Sequence, residues 1–290
     1  MNNHKKAVGY ILLSALAFSF MQVFVKLSGP DIPLFEKIFM RNLLIFFGML
    51  FIIKKRGKKI EVPKKSRLPL LLRCMAGYMG VSCYFYATQR MLLGDANAIH
   101  QSSPIFVVLF SALIIKEELT KDKLLAVILG FVGVLFIVKP SFNSSAFPAF
   151  VGLCGSLGSA LAYVFINSLR GDVEGEVIIL AFAGFSSLVS LPFLIGDFVM
   201  PQGWTLVFLL GIGLFGGLGQ YFVTSGYSLA RAGEISVYGY TGIIFSAIIG
   251  ILLFNERPDI LSFLGMGIII LSGYLLFKVN LNKKTKVLEE

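Results

Sequence analysis

Apolar residues form ten runs along the chain, and each run is long enough to cross a lipid bilayer as a helix. A crossing α-helix needs about 20 apolar residues, with a range of about 17–25. Turn-forming residues separate several runs, namely Gly29-Pro30, Pro33, Pro63, Pro140 and Pro201. The pattern predicts helices near 7–27, 34–53, 68–90, 96–115, 123–139, 149–169, 177–196, 204–229, 235–254 and 260–278. We therefore expect an all-α integral membrane protein with ten transmembrane helices.

The composition agrees with this pattern. Hydrophobic residues make up 56% of the chain and charged residues 14%, whereas a soluble domain carries about 25% charged residues. Ten crossings would use about 200 residues, so the loops must be short and no separate soluble domain fits. Cys74, Cys83 and Cys154 show no metal-like spacing, and we interpret them as small apolar helix residues.

Basic residues are unevenly placed. The net charge is +10, but eight of the 26 Lys and Arg residues fall in the single loop at 54–67. Clustering of this kind is typical of a cytoplasmic loop, and it argues against a nucleic-acid surface. With the N-terminus inside, 19 of the 26 basic residues lie on the cytoplasmic side. We expect a multi-pass protein of the cell membrane with both termini cytoplasmic.

A short sequence occurs twice. Ser14-Ala15-Leu16-Ala17-Phe18 with Gln22 returns as Ser159-Ala160-Leu161-Ala162-Tyr163 with Asn167. Five helices, an odd number, precede the second copy, so it must enter the membrane with the opposite orientation. Two inverted five-helix repeats are an architecture of secondary transporters. We place the first repeat at 1–140, the second at 149–279 and a cytoplasmic tail at 280–290.

Several motifs resemble a known family. Tyr86-Ala87 leads to Asp95-Ala96, then Ser103-Pro104-Ile105-Phe106, and finally Glu117 and Gly133. This order resembles the EamA-type branch of the drug/metabolite transporter superfamily, and it has a counterpart in the second half. The resemblance implies a ten-helix inverted repeat, a central cavity between the halves and alternating access. In the second half, Ile243 stands in the position of Pro104, so any role of that proline is not duplicated.

Charged residues in the second helix are the first candidates for a site. Arg41 lies deeper in the predicted helix than Glu36 and Lys37, which are close enough to its end to snorkel. A charge inside a bilayer costs about 2.5–3.5 kcal/mol on insertion scales, so Arg41 needs a partner or a water-filled cavity. Glu36 could be that partner. We interpret Arg73, near the start of the third helix, as a snorkelling residue.

Polar residues inside other helices complete the set. Asn97, His100 and Gln101 gather at the start of the fourth helix, and His100 could carry a coupling proton. Hydrogen bonds that only fix helix packing are the alternative role for these groups. The candidate substrate-binding residues are Gln22, Arg41, Asn97, His100, Gln101, Asn167, Gln220 and Tyr240.

These observations predict a secondary transporter that moves a small polar organic metabolite, with an amino acid or related carboxylate favoured. S-adenosylmethionine, nucleotide-sugars and cationic drug-like compounds are alternative substrates. The sequence lacks H-E-x-x-H, G-x-S-x-G and paired catalytic carboxylates, which argues against a membrane-embedded enzyme. We expect no catalytic residue, metal or cofactor. The expected partners are a small-molecule substrate and the lipid bilayer, with proton or exchange coupling, in a monomer or homodimer.

The charge asymmetry generates a topology prediction. A cysteine placed at position 59, in the basic loop, should stay inaccessible to a membrane-impermeant thiol reagent in intact cells, whereas one at 144 should react. Labelling with and without permeabilisation measures this directly. Reaction at 59 in intact cells would reverse the orientation.

Overall fold

The structure, a computed structural model, describes residues 2–116, 119–138 and 146–289, and their regular secondary structure is helical. The helices are α1 (Asn2–Leu27), α2 (Leu34–Lys55), α3 (Arg67–Arg90), α4 (Leu93–His100), α5 (Ser103–Ile114), α6 (Lys121–Val138), α7 (Phe147–Ser168), α8 (Gly175–Ser190), α9 (Trp204–Leu229), α10 (Ala232–Ile235), α11 (Thr241–Phe254) and α12 (Ile260–Glu289). Short 3₁₀ segments lie at Lys64–Ser66, Leu191–Leu194 and Ser236–Tyr240.

The helices form ten crossings in the described part of the chain, as the apolar runs predict. Helices α4 and α5 together make one crossing, as do α10 and α11, and each remaining helix makes one. Six segments of the described residues are long enough and apolar enough to span a membrane. Helix α2 is not among them because it carries charged residues at both ends and in its interior.

Two crossings are divided into two helices, which the sequence pattern did not predict. A continuous helix was expected over 96–115, but α4 ends at His100 and α5 begins at Ser103. Pro104 lies in the first turn of α5, and it has no N–H to donate to the preceding turn, so it ends the α4 ladder. In the second half, a 3₁₀ segment at Ser236–Tyr240 separates α10 from α11 at the equivalent place, although Ile243 replaces the proline there.

The two halves pack with two-fold symmetry. Helices α1 to α6 of the first half correspond to α7 to α12 of the second. Helix α1 packs along α9, and its counterpart α7 packs along α3. The pairs α2 with α8, α4 with α11 and α6 with α12 join corresponding crossings across the axis. This pairing matches an inverted repeat whose axis lies in the membrane plane.

Backbone strain follows the same symmetry. Lys116 has φ 59° and Asn255 has φ 50°, the two described non-glycine residues with positive φ. They are 139 positions apart, the same offset that relates Pro104 to Ile243, and each follows the second half-helix of a broken crossing. A conformation that most L-residues avoid is thus present at matching positions in both halves.

Close glycine contacts hold α3 against α7. A Cβ on Gly158 would meet Ala76 O at 2.8 Å and Gly80 N at 2.9 Å, which are backbone atoms that cannot move aside locally. Small residues at such contacts let two membrane helices approach closely, and the resulting van der Waals packing drives their association.

We therefore expect Gly158→Ala to destabilise the protein by about 1–3 kcal/mol, because it forces α3 and α7 apart. Thermal unfolding in detergent, followed by intrinsic fluorescence, measures the change. Gly267→Ala is the matched control, since a Cβ there would have no atom within 4 Å. Equal melting temperatures for the two variants would contradict the proposed close contact.

Candidate functional site

Two adjoining chambers lie between the halves. The arginine chamber is lined by Arg41, Arg73, Phe182 and Gln220, among others. The amide chamber is lined by Asn97, Gln101, Tyr227 and Gly242, among others. Four residues line both chambers, so the two are contiguous. These shared residues are Phe18, Tyr84, His100 and Tyr163.

The duplicated sequence forms part of the chamber walls. Phe18 and Tyr163 occupy corresponding positions of the two copies, and both line both chambers. Ser14 and Ser159, which precede them by four residues in the two copies, line the amide chamber and the arginine chamber, respectively. The repeat detected in the sequence therefore contributes matching positions to the inner surface.

Two arginines of the first half lie side by side in the arginine chamber. Arg41 and Arg73 are each only 2% exposed. Arg41 Nη1 donates to Asn42 Oδ1 at 3.0 Å, but Nε of Arg41 and both Nε and Nη1 of Arg73 have no hydrogen-bond partner. The ring of Phe182, from the second half, lies 5.9 Å from the Arg41 guanidinium carbon and 4.2 Å from that of Arg73.

No acidic side chain of a described residue neutralises this pair. The ion pairs in the described part of the chain involve other residues. Glu36, the candidate partner, instead accepts the Val199 N–H at 2.9 Å. Lys37, its neighbour, donates to Gly29 O at 2.5 Å. The expectation that Glu36 could neutralise Arg41 is therefore wrong.

Glycines make room for both guanidinium groups. A Cβ on Gly216 of α9 would lie 2.6 Å from Arg41 Nε and 3.1 Å from Arg41 Cγ. On α3, a Cβ on Gly77 would collide with Arg73 Nη1. The two arginine side chains thus fill the space that a side chain at position 216 or position 77 would occupy if the glycine were replaced.

The amide chamber is built around the two helix breaks. Asn97 Nδ2 donates to Gly242 O at 2.7 Å and also contacts Ser246 Oγ. Gln101 Nε2 donates to Gly239 O. These bonds link the end of α4 to the 3₁₀ segment and the start of α11.

His100 joins the amide chamber to the arginine chamber. Its ring stacks on Tyr84, with centroids 3.9 Å apart, and its Nε2 lies 3.0 Å from Ser159 Oγ. Asn97, His100 and Gln101 all line the amide chamber.

The remaining candidates are dispersed. Gln220 lines the arginine chamber and donates to Thr224 Oγ1 at 3.0 Å. Gln22 is buried and lines neither chamber, and neither its amide nitrogen nor its oxygen has a hydrogen-bond partner. Asn167 donates to Tyr227 O at 3.2 Å and Ala230 O at 3.1 Å, which fixes a helix end. Tyr240 lines a separate pocket beside Gly273.

Sequence reasoning missed several residues of the arginine chamber. The expectation that Arg73 snorkels is wrong, because the residue is buried and lines the chamber. Tyr84, Tyr163 and Phe182 also line it, and aromatic residues in apolar helices give no local signal of such a position. For Arg73 the available signal was its charge inside a predicted membrane span, which is as costly there as the charge of Arg41. In the described residues, no three His, Cys, Asp or Glu side chains form a group that could hold a metal ion.

The chain matches the sequence profile of the EamA-like transporter family twice, over residues 5–139 and 146–278. It belongs to that family. The inferred membership in the drug/metabolite transporter superfamily is confirmed, and so is the two-repeat transporter fold.

Individual relatives agree with this assignment. An uncharacterized transporter of Helicobacter pylori is 32% identical over 288 residues, covering 96% of this chain and 97% of the relative. The pseudopaline exporter of Pseudomonas aeruginosa is 32% identical over 272 residues, covering 92% and 94%. A solved crystal structure aligns with a TM-score of 0.72 at 16% identity, covering 95% of this chain and 98% of the other. That structure shares the fold of this EamA-like transporter.

The position of Gly216 generates a prediction about Arg41. A Gly→Ala change in an unstrained helix stabilises a protein by about 0.4–1 kcal/mol, but Gly216→Ala should lower the melting temperature because it displaces the Arg41 side chain. Gly217→Ala is the control, since its Cβ would touch only Ile45 Cγ1 at 3.4 Å.

The cause can be assigned with a double-mutant cycle. In an Arg41→Gln background, Gly216→Ala should cost less than in the unmodified chain, with a coupling of about 0.5–3 kcal/mol. Additive effects would show that the clash does not involve Arg41.

Proposed function

We propose that this protein is a secondary transporter of a small organic carboxylate, with an amino acid or a related compound favoured. It works by alternating access between repeats at 1–140 and 149–279. It lies in the cell membrane with both termini and the tail at 280–290 in the cytoplasm. The matched family and the relatives named as transporters support transport as the activity.

The pair of guanidinium groups without acidic partners carries the substrate assignment. Arg41 and Arg73 are buried with free N–H donors, and a buried charge is stable only when it is paired or hydrogen-bonded. No described carboxylate supplies that pairing, so we assign it to the substrate. A guanidinium holds a carboxylate through two parallel hydrogen bonds, which an ammonium of lysine cannot do.

Ionic contacts between the halves at both ends of the molecule support alternating access. At one end, Arg56 and Lys58 bind Glu176 at 2.8 and 3.0 Å, and Lys65 binds Asp172 at 2.8 Å. The hydrogen bond from Lys58 to Glu174 raises the pKa of Lys58, so this lysine stays charged.

At the other end, an ion pair also joins the halves. Lys26 binds Glu256, and the Glu256 carboxylate oxygens accept the Leu93 N–H at 2.9 and 2.8 Å. Opening the chambers first to one side and then to the other would break these two sets in turn.

The arginine chamber is tested by ligand binding to purified protein. The unmodified protein should bind carboxylates more tightly than their amide analogues in a thermal-shift screen of metabolites. Arg41→Gln and Arg73→Gln should each reduce that preference by about tenfold or more, since a hydrogen bond to a charged group contributes about 1.5–3 kcal/mol. Arg41→Lys should retain part of it, as a point charge without the two-bond geometry.

Arg90→Gln is the matched control. Arg90 lies over the Tyr86 ring at 3.9 Å, and neither residue lines either chamber. Equal binding of carboxylates and amides by the unmodified protein would end the carboxylate assignment. Saturable flux into proteoliposomes with trans-stimulation would establish a carrier, and flux that never saturates would indicate a channel instead.

A further inference from the structure

The hydrogen bonds of Asn97 and Gln101 fix which side of each amide faces the amide chamber. Both amide nitrogens donate to backbone carbonyl oxygens, of Gly242 and Gly239, respectively. A carbonyl oxygen can only accept, so turning either amide over would place two oxygens against each other. The Asn97 NH₂ group thus uses both of its N–H donors, on Gly242 O and Ser246 Oγ, and the Gln101 NH₂ group uses one of its two, on Gly239 O.

The carbonyl oxygens of these two amides remain available as hydrogen-bond acceptors. Neither Asn97 Oδ1 nor Gln101 Oε1 takes part in a hydrogen bond within the described residues. Both side chains line the amide chamber. Two acceptors thus remain for a ligand there, whereas the adjoining arginine chamber offers donors.

Aromatic rings surround the same space. Tyr163 and Tyr227 stack with centroids 4.7 Å apart, and both line the amide chamber. Tyr84 and Phe18 line it as well. Aromatic faces attract ammonium groups, and amide oxygens accept their N–H bonds, so both features favour the same chemical group.

We infer that Asn97 and Gln101 form a subsite for a protonated amine of the substrate, adjacent to the subsite for its carboxylate at Arg41 and Arg73. This rests on the proposed function for the carboxylate end. The substrate class it names is a zwitterion with an amino group as well as a carboxylate. Among the side chains that the structure describes, none that lines the amide chamber is acidic.

The test compares matched probes on purified protein, each an amino acid beside the same acid without its amine. L-glutamate with glutarate, and L-phenylalanine with 3-phenylpropionate, are suitable pairs for equilibrium dialysis. The unmodified protein should bind the amino acid at least about tenfold more tightly than its partner in one or both pairs. Gln101→Leu should abolish that difference, and Gln101→Glu should increase it by adding a negative charge.

Gln89→Leu is the control, because Gln89 lies on α3 and does not line either chamber. It should leave the difference within each pair unchanged. Gln101 is preferred to Asn97 for the test, because Asn97 joins α4 to α11 through Gly242 and Ser246 and its replacement could disturb the fold.

The outcomes separate this inference from the proposed function. Equal binding within both pairs overturns the amine subsite, while an Arg41→Gln effect on glutarate alone would still support the arginine chamber. A preference for the amino acid that persists in Gln101→Leu also overturns it. Absence of binding by all four probes at millimolar concentration would overturn both the amine subsite and the carboxylate assignment.

Discussion

Backbone N–H and C=O groups in the hydrocarbon of a membrane must find partners inside the protein. The two broken crossings of this chain therefore constrain everything around them. Their breaks, at 101–102 and 236–240, meet where α4 crosses α11. Gln101 donates to Gly239 O within the opposite break, and Asn97 donates to Gly242 O at the start of α11. A polar space between the halves is the setting in which such breaks are tolerated, and the amide chamber is that space.

The arginine chamber is also lined by both halves, but its two arginines come from the first half alone. Packing around Arg41 and Arg73 comes from both halves, with Phe182 contributed by α8 and Gly216 by α9. The arginines themselves have no basic counterparts in the second half, because α8 and α9, which correspond to α2 and α3, contain neither Lys nor Arg. The corresponding helices of the two halves thus form the scaffold, and residues that differ between the halves supply the charged groups of the chamber.

The ten crossings could be predicted because length and hydropathy are local properties, and the duplicated sequence revealed the inverted repeat. The break between α10 and α11 could not, because no proline marks it and its contact with Gln101 joins residues 138 positions apart. Arg73 was misjudged for a similar reason. From the sequence it could reach the near membrane surface, but Gly77 and Phe182 leave space for it in the interior. Gln22 and Asn167 match in sequence but not in role, since only Asn167 reaches a helix end.

The contact of Glu256 with Leu93 has a mechanical consequence. Glu256 accepts the first N–H of α4, a helix of eight residues, at 2.8–2.9 Å, and the far end of the same helix carries Asn97 and His100. The helix is about 12 Å long at 1.5 Å per residue, so one short stretch of backbone connects the Glu256 contact at one membrane surface to two side chains of the amide chamber. The α4 backbone is therefore the direct connection between them, and no relay through intervening side chains is needed.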